Sequence, residues 1–282
     1  MGTATDQPRQ DVPRIHPTAV VSEGAQIGSG VEIGPFSYIA DQVVIGGGTR
    51  VGAHAVIEGP TVIGERNQIF GQCSIGRVPQ DLKFKGEISH VIIGDENRIR
   101  EFTTIHRGTA GGIGKTVLGS GTLIMTGAHI AHDCIVGDGA ILGNSATLAG
   151  HVEIGNQANV GAFSGVHQFC RVGPHAFIGG YSVVTRDVLP FIKTIGTRSQ
   201  ASIFGVNGIG LERRGFSPER ISALKEAYRV LFLRGLRLEE ALQRLGESAP
   251  TPDVALLIDF IQTCERGFVR SSPRKPTEAS VD

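Results

Sequence analysis

Ile27-Gly28-Ser29-Gly30-Val31-Glu32-Ile33-Gly34-Pro35-Phe36-Ser37-Tyr38-Ile39 carries the rule on which most of this chain is built. An aliphatic residue returns every six positions, glycine often follows it, and a small or β-branched residue stands four places later. Outward from this stretch the aliphatic column runs from Ile15 to Ile75, resumes at Ile93, Ile99 and Ile105, and runs again from Leu118 to Val184. That makes 26 hexads. A period of six fits neither an amphipathic helix nor a hairpin sheet. It fits a short strand plus a tight turn. Three hexads then close a triangular coil of 18 residues, with the aliphatic residue and the small residue four later pointing inward. The glycines are expected at the turns, where a positive φ is needed. At a strand spacing of about 4.8 Å, nine coils make a prism on the order of 40 Å long.

Composition agrees with a turn-rich fold. The 282 residues include 40 glycines and no tryptophan, and 27 basic residues balance 27 acidic ones. Zero net charge gives no global reason to expect nucleic acid or a membrane surface. No stretch of 18 apolar residues exists and the N-terminal residues are polar, so a cytoplasmic location without a transmembrane segment is expected. Cys73, Cys134, Cys170 and Cys264 are far apart, which suits free thiols. The first three fall in the small inward slot, four after Ile69, Ile130 and Val166, and are expected to be core residues.

Two breaks interrupt the repeat, at residues 76–92 and 106–117. Long loops on a rigid scaffold are commonly functional. The second contains Gly111-Gly112-Ile113-Gly114-Lys115-Thr116, which imitates the end of a phosphate-binding loop. It lacks the upstream glycine and no helix is expected next, so that motif is rejected. After Pro190 the period stops. Ser217-Pro218 and Thr251-Pro252 each open a helix by serine or threonine capping with proline in the first turn, and Leu238 to Leu245 reads as a short helix between them. The expected organisation is a disordered 1–12, a prism over 13–190, a helical domain over 191–270 and a disordered tail over 271–282. From Glu212 to Arg237 seven basic residues face three acidic ones, a surplus suited to an acidic carrier protein or a phosphate-bearing arm.

Four histidines, His129, His132, His151 and His167, fall in one part of the prism. The aliphatic residues before the last three, Ile130, Leu148 and Val166, are 18 apart, so these histidines are expected to stack on one face in successive coils, with His129 at the corner entering it. Histidine titrates near neutrality and can take a proton from a hydroxyl. Acyl transfer from a thioester needs such a base and a donor for the developing oxyanion. Asp133 adjoins His132 and is a candidate to tune the ring, although neighbours on a strand face opposite ways.

The hexads resemble those of hexapeptide-repeat acyltransferases, which implies a left-handed parallel β-helix, all-β, with a small C-terminal α-helical domain. More specifically, Gln80-Asp81-Leu82-Lys83, Ile105-His106-Arg107-Gly108-Thr109, Ala128-His129-Ile130-Ala131-His132-Asp133-Cys134, Leu148-Ala149-Gly150-His151, Val166-His167-Gln168-Phe169-Cys170 and Arg213-Arg214-Gly215-Phe216 resemble the UDP-N-acetylglucosamine O-acyltransferase family. The likeness covers about residues 13 to 270. It implies transfer of a 3-hydroxyacyl chain from acyl carrier protein to the sugar 3-hydroxyl, at the start of lipid A synthesis. It implies that His132 is the general base and that Gly150 offers a backbone N–H to the oxyanion. It implies that Asp81, Lys83, His129, His151, His167, Gln168, Asn207, Arg213 and Arg214 line the substrate sites of a homotrimer with sites between subunits. No cofactor beyond the carrier's phosphopantetheine is implied, and no metal. Ile209 departs from the glutamate often found there, which bears on ribose contacts, and Pro79 stands where others have a polar residue.

An N-acyltransferase of the same pathway shares the prism and a catalytic histidine, but usually has a separate N-terminal domain, whereas these hexads start at Ile15. A zinc-dependent carbonic anhydrase on the same prism demands two histidines five apart and a third upstream, which the spacing 129, 132, 151, 167 does not supply. A purely structural solenoid leaves the histidine column and basic cap unexplained. Gly180 resembles the position of the family's acyl-chain ruler, and a glycine there predicts a groove open to a long chain. A Gly180→Met variant should shift preference about 10-fold or more toward shorter donors in a competition assay; an unchanged preference removes this reading.

Overall fold

The computed structural model describes residues 12–197 and 201–270. The expectations for 1–12 and 271–282 therefore fall outside the described residues, apart from the exposed Val12. Twenty-six short strands, from Arg14–Ile15 to Val183–Val184, wind into a triangular prism. Strands of successive coils pair in parallel, Ile15 with Ile33 and Val21 with Ile39. Three sheets result, of 11, 9 and 8 strands, here called first, second and third in the order the chain meets them. The coils wind left-handed, against the rule for parallel crossovers.

From Ile33 onward each hexad buries the two residues its pattern marks, whereas Ile15 at the open end of the prism is exposed. Ile33, Ser37, Ile39, Val43, Ile45, Thr49, Val51 and Ala55 are all buried, and the column continues to Val184. Cys73, Cys134 and Cys170 lie inside it, and burial pushes their thiols up to about 12, 12 and 11. Polar residues in the inward slot find partners from coil to coil: Asn97 N–H donates to Asn67 Oδ1 at 2.9 Å and Thr122 N–H to Asn97 Oδ1 at 2.8 Å.

The glycines divide into two roles: Gly30, Gly48, Gly121, Gly127 and Gly139 take the positive φ expected at turns, whereas most that directly follow an aliphatic residue do not. Gly34, Gly52 and Gly143 do not have positive φ; a Cβ on them would lie 2.9, 2.6 and 2.5 Å from the backbone nitrogens of Ala53, Gly71 and Ala162 in the next coil. They are glycines because two backbones nearly touch there. The left-handed corner position is instead often a large residue, such as Phe36, His54, Asp133, His151 or Phe169, with φ between 58° and 63°. A left-handed residue costs about 1–2 kcal/mol, which the stacked coils offset by over-determining the turn.

The two breaks leave the ladder intact. Ile63 pairs with Ile93, and Ile93 with Leu118, so the surplus residues are expelled as loops while the sheets run on. After Pro190 the prism does not give way directly to helices. Strands Ile192–Ile195 and Ser202–Val206 form an antiparallel hairpin that closes the end of the first sheet. Helices α1 (Gly208–Arg213), α2 (Pro218–Phe232), α3 (Leu238–Glu247) and α4 (Pro252–Gln262) follow. Ser217 caps α2 and Thr251 caps α4, as their sequences indicate. The unforeseen helix is α1, a short one whose only buried residue is Leu211.

Contacts from Arg171 and Phe216 help clamp this cap to the prism. Arg171 Nε donates to Asp187 Oδ2 at 3.1 Å, and one of its terminal nitrogens donates to the carbonyl of Thr263, just past α4, at 2.8 Å. The ring of Phe216 meets His175 edge-on at 4.9 Å and carries the Arg220 guanidinium 3.7 Å above it. Coil spacing is the tightest constraint, so Gly143→Ala should lower unfolding free energy by about 1–3 kcal/mol in a denaturant titration. Gly165→Ala, with nothing within 4 Å of the added Cβ, should change it by less than about 0.5 kcal/mol. Equal effects would refute this account of the glycine column.

Candidate active site

The edge where the second sheet turns into the third collects the unusual features of the chain. The first loop joins Ser74–Arg77 to His90–Ile93, and the second joins Thr104–His106 to Lys115–Leu118. In the next three coils the same edge carries the turns holding His132, His151 and His167. Both loops therefore overhang the histidines because all five segments leave the same sheet. The loops also hold each other: Ala110 N–H donates to Glu87 Oε1 at 3.1 Å.

His132 and Asp133 occupy a turn, not a strand, and Asp133 has a φ of 59°. The objection that strand neighbours face apart does not apply, and His132 Nδ1 lies 2.9 Å from Asp133 Oδ2. A carboxylate can only accept, so Nδ1 carries the proton and Nε2 is left as the free acceptor. The Asp133 side chain is fully buried. Burial alone would raise its carboxyl, but bonds from Thr109 and His132 hold it below the usual carboxylate range. Thr109 Oγ1 donates to Oδ2 at 2.7 Å, and the Thr109 and Gly114 N–H groups donate at 3.1 Å. Gly112 is pressed against the same carboxylate; a Cβ there would lie 2.3 Å from Asp133 Cγ.

On its other side the His132 ring rests on Gly150, whose added Cβ would lie 2.6 Å from His132 Cε1. His151 meets His132 edge-on at 5.0 Å and stacks flat on Phe169 at 4.4 Å. Burial lowers His151, the carboxylates of Asp133 and Asp81 oppose this, and His132 adds to it. The column is thus His132, His151, Phe169. His167 does not join it: it lies one residue past its strand, with Nδ1 3.2 Å from the Gln168 carbonyl, and among the described residues it makes no ring contact.

His129 is not at a corner. It lies in the strand His129–Ile130, on the outer face of the second sheet, where its Nδ1 is 2.7 Å from Thr104 Oγ1. Its other neighbour is His106, edge-on at 4.9 Å. Burial, reinforced by the other histidines, lowers both, His106 to about 4. His106 was not singled out from its sequence, although it follows the inward Ile105 at the end of a second-sheet strand and so borders this edge. In the first loop, Asp81 Oδ1 accepts from Lys83 N–H at 2.9 Å, and the Lys83 side chain is exposed, as is Gln168.

The remaining candidates lie elsewhere on the prism. Asn207 donates to the carbonyl of His175 at 3.1 Å and Arg214 reaches the carbonyl of Gly139, both on the edge between the third and first sheets. The exposed Arg213 adjoins Arg214 there. Gly180 sits on the edge between the first and second sheets, 3.3 Å from the Ala162 carbonyl at its absent Cβ. The basic surplus of the cap shrinks too: Arg220 is bound to Asp253 through two bonds of 2.8 Å, and Arg229 and Arg234 share Glu226.

Donor atoms of His132, Asp133 and His151 lie within 4.8 Å of one another, a spacing a metal ion could bridge. Both Asp133 oxygens are already committed to Thr109, Gly114 and His132, so the donor set suits a proton relay better than a metal. A cleft of about 540 Å³ runs from Ile113 and His151 to Thr263 beyond α4. A larger trough of about 870 Å³ crosses the start of the first sheet between Arg14 and Phe70 and contains none of these site histidines.

Comparison with known proteins matches this arrangement. Residues 187–269 match the family described as UDP N-acetylglucosamine O-acyltransferase, domain 2, and residues 115–150 match the bacterial transferase hexapeptide repeats. An acyl-[acyl-carrier-protein]–UDP-N-acetylglucosamine O-acyltransferase of Stenotrophomonas maltophilia is 47% identical over 92% of this chain and 99% of its own. That of Myxococcus xanthus is 50% identical over 91% of this chain and 99% of its own. The solved UDP-N-acetylglucosamine acyltransferase of Francisella novicida superimposes with a TM-score of 0.87 at 43% identity, covering 95% of this chain and 96% of its own. These names fit neither the N-acyltransferase nor the hydratase reading. The chain belongs to the acyl-[acyl-carrier-protein]–UDP-N-acetylglucosamine O-acyltransferase family.

Proposed function

We propose that this chain transfers an (R)-3-hydroxyacyl group from acyl carrier protein to the 3-hydroxyl of UDP-N-acetylglucosamine, the first step of lipid A biosynthesis. The observation that carries this reading is a single imidazole oriented by a buried carboxylate, with its Nε2 free to accept a proton. His132 Nε2 takes the proton of the sugar 3-hydroxyl as its oxygen attacks the thioester carbon. The tetrahedral oxyanion is held by the Gly150 N–H, and the C–S bond then breaks. The departing thiolate recovers the proton from the His132 imidazolium. No nucleophilic side chain is needed, in keeping with cysteines that are buried and protonated. Asp81, Lys83, His129, His151, His167 and Gln168 line the approach to that imidazole. The reading includes a cytoplasmic location and no cofactor besides the carrier's pantetheine arm.

The placement of the candidates supports a homotrimeric assembly. His132 is on one prism edge, Asn207, Arg213 and Arg214 on a second, and Gly180 on the third. One substrate cannot reach all three edges of a single chain. The first sheet separates the latter two edges, and its outer face near them carries Leu123, Ile141 and Phe177, half-buried and apolar. A second copy that presents this face to the His132 edge completes the site, and repeating the contact closes a homotrimer.

The test is acyl transfer from a set of 3-hydroxyacyl carrier proteins to UDP-N-acetylglucosamine. Wild type should turn over, and His132→Ala should lose 10² or more in kcat. A variant within tenfold of wild type sinks the general-base role. Gly150→Ala pushes directly on the His132 ring, so it should lower kcat about 10-fold or more with a cooperative unfolding transition retained.

A further inference from the structure

We infer that Thr109, in the second loop, is a positioning residue for the reaction: it holds Asp133 so that Asp133 can hold His132. The inference rests on His132 being the general base. Thr109 is 3% exposed and contributes three contacts to one carboxylate: its Oγ1–H to Oδ2 at 2.7 Å, and its N–H to both oxygens at 3.1 Å. The loop is then tied to the same group a second time by the Gly114 N–H at 3.1 Å. From the prism side, the Asp133 N–H donates to Thr116 Oγ1 at 2.9 Å. What is left of Asp133 for chemistry is one oxygen facing His132 Nδ1.

Two features show that this is more than loop anchoring. Asp133 sits at a left-handed corner position, with a φ of 59°, so its direction is set by the turn and by the loop packed on it. Gly112 passes so close to it that no side chain fits, so the loop is shaped around the carboxylate. A loop that needed only a fastening point could use an exposed carboxylate; here the fastening point is the group behind the base. Buried polar networks of this kind specify a geometry when every member is satisfied and lose it when one member is removed. A misplacement of about 1 Å at a catalytic group can cost 10²-fold.

The experiment compares Thr109→Val, Thr109→Ser and His132→Ala with wild type in the same transfer assay. The titratable groups facing His132 are Asp133, His151, His129 and His106, and none is altered by the Thr109 variants. Thr109→Val keeps shape and N–H but removes the O–H donor. It should lower kcat about 10-fold, leave KM for both substrates within about twofold, and leave the melting temperature within a few degrees. The acid limb of kcat against pH should move upward, because a carboxylate with one donor fewer stabilises the imidazolium more. Thr109→Ser should restore the rate and the limb. An unchanged kcat and limb in Thr109→Val overturns the inference. So does a loss that appears in KM and melting temperature without moving the limb, which is what a merely structural loop anchor gives. Should His132→Ala retain its rate, the general-base reading fails first; if it loses its rate while Thr109→Val does not, this inference alone fails.

Discussion

Each coil of this prism rests on the next at backbone contact distance, and everything else follows from that. At Gly52 and Gly143 the approach leaves no room for a methyl group. Parallel pairing at this spacing leaves only two inward positions per hexad, which is why one face of each short strand is aliphatic and the slot four later is small, and why the corners must bear the conformational strain. A large residue at a corner has nowhere to point but outward. The scaffold therefore has a fixed interior and an exterior in which any residue type can be placed at an edge without touching the core. His132, Asp133, His151 and Phe169 all exploit this freedom.

The loops obey the same constraint. A segment that does not fit a hexad cannot be accommodated between stacked coils, so it is pushed out at a corner while the ladder closes behind it. Both expelled segments leave from one edge, and this concentrates polar backbone and side chains there. The second loop then packs around the Asp133 carboxylate. The depth at which Asp133 is buried comes from the loop as much as from the prism.

The prism was legible because its period is strict: Ile15 to Val184 can be counted without knowledge of the structure. Helices α2 and α4 were legible from Ser217-Pro218 and Thr251-Pro252. The hairpin at 192–206 was not, since Ile192–Ile195 continues the sheet after the six-residue count has lapsed. Within the site, the clustering of His132 and His151 on one edge followed from spacing. The link from His132 to Asp133 did not, because strand alternation does not hold for residues in a turn. His106 and Thr109 carry no signal of their own beyond the family motif; their roles depend on a loop folding back over the next coil, a contact of 24 residues' separation for Thr109 and Asp133 that no local pattern encodes. The glycines are legible as turn markers, but sequence alone does not separate one with positive φ, such as Gly30, from one that leaves no room for a Cβ, such as Gly34.

The uniform rise of the coils has a consequence for substrate choice. Any group on an edge has its height along the prism axis set by its coil number, in steps of about 4.8 Å. A linear substrate lying along that edge is thus gauged against a graduated scale. Moving a blocking side chain by one coil changes the admitted length by a whole graduation, and moving it within a coil changes it hardly at all. A blocking position moved by one coil, 18 residues in sequence, should therefore shift length preference by a whole graduation, while at a fixed position the size of the side chain sets it.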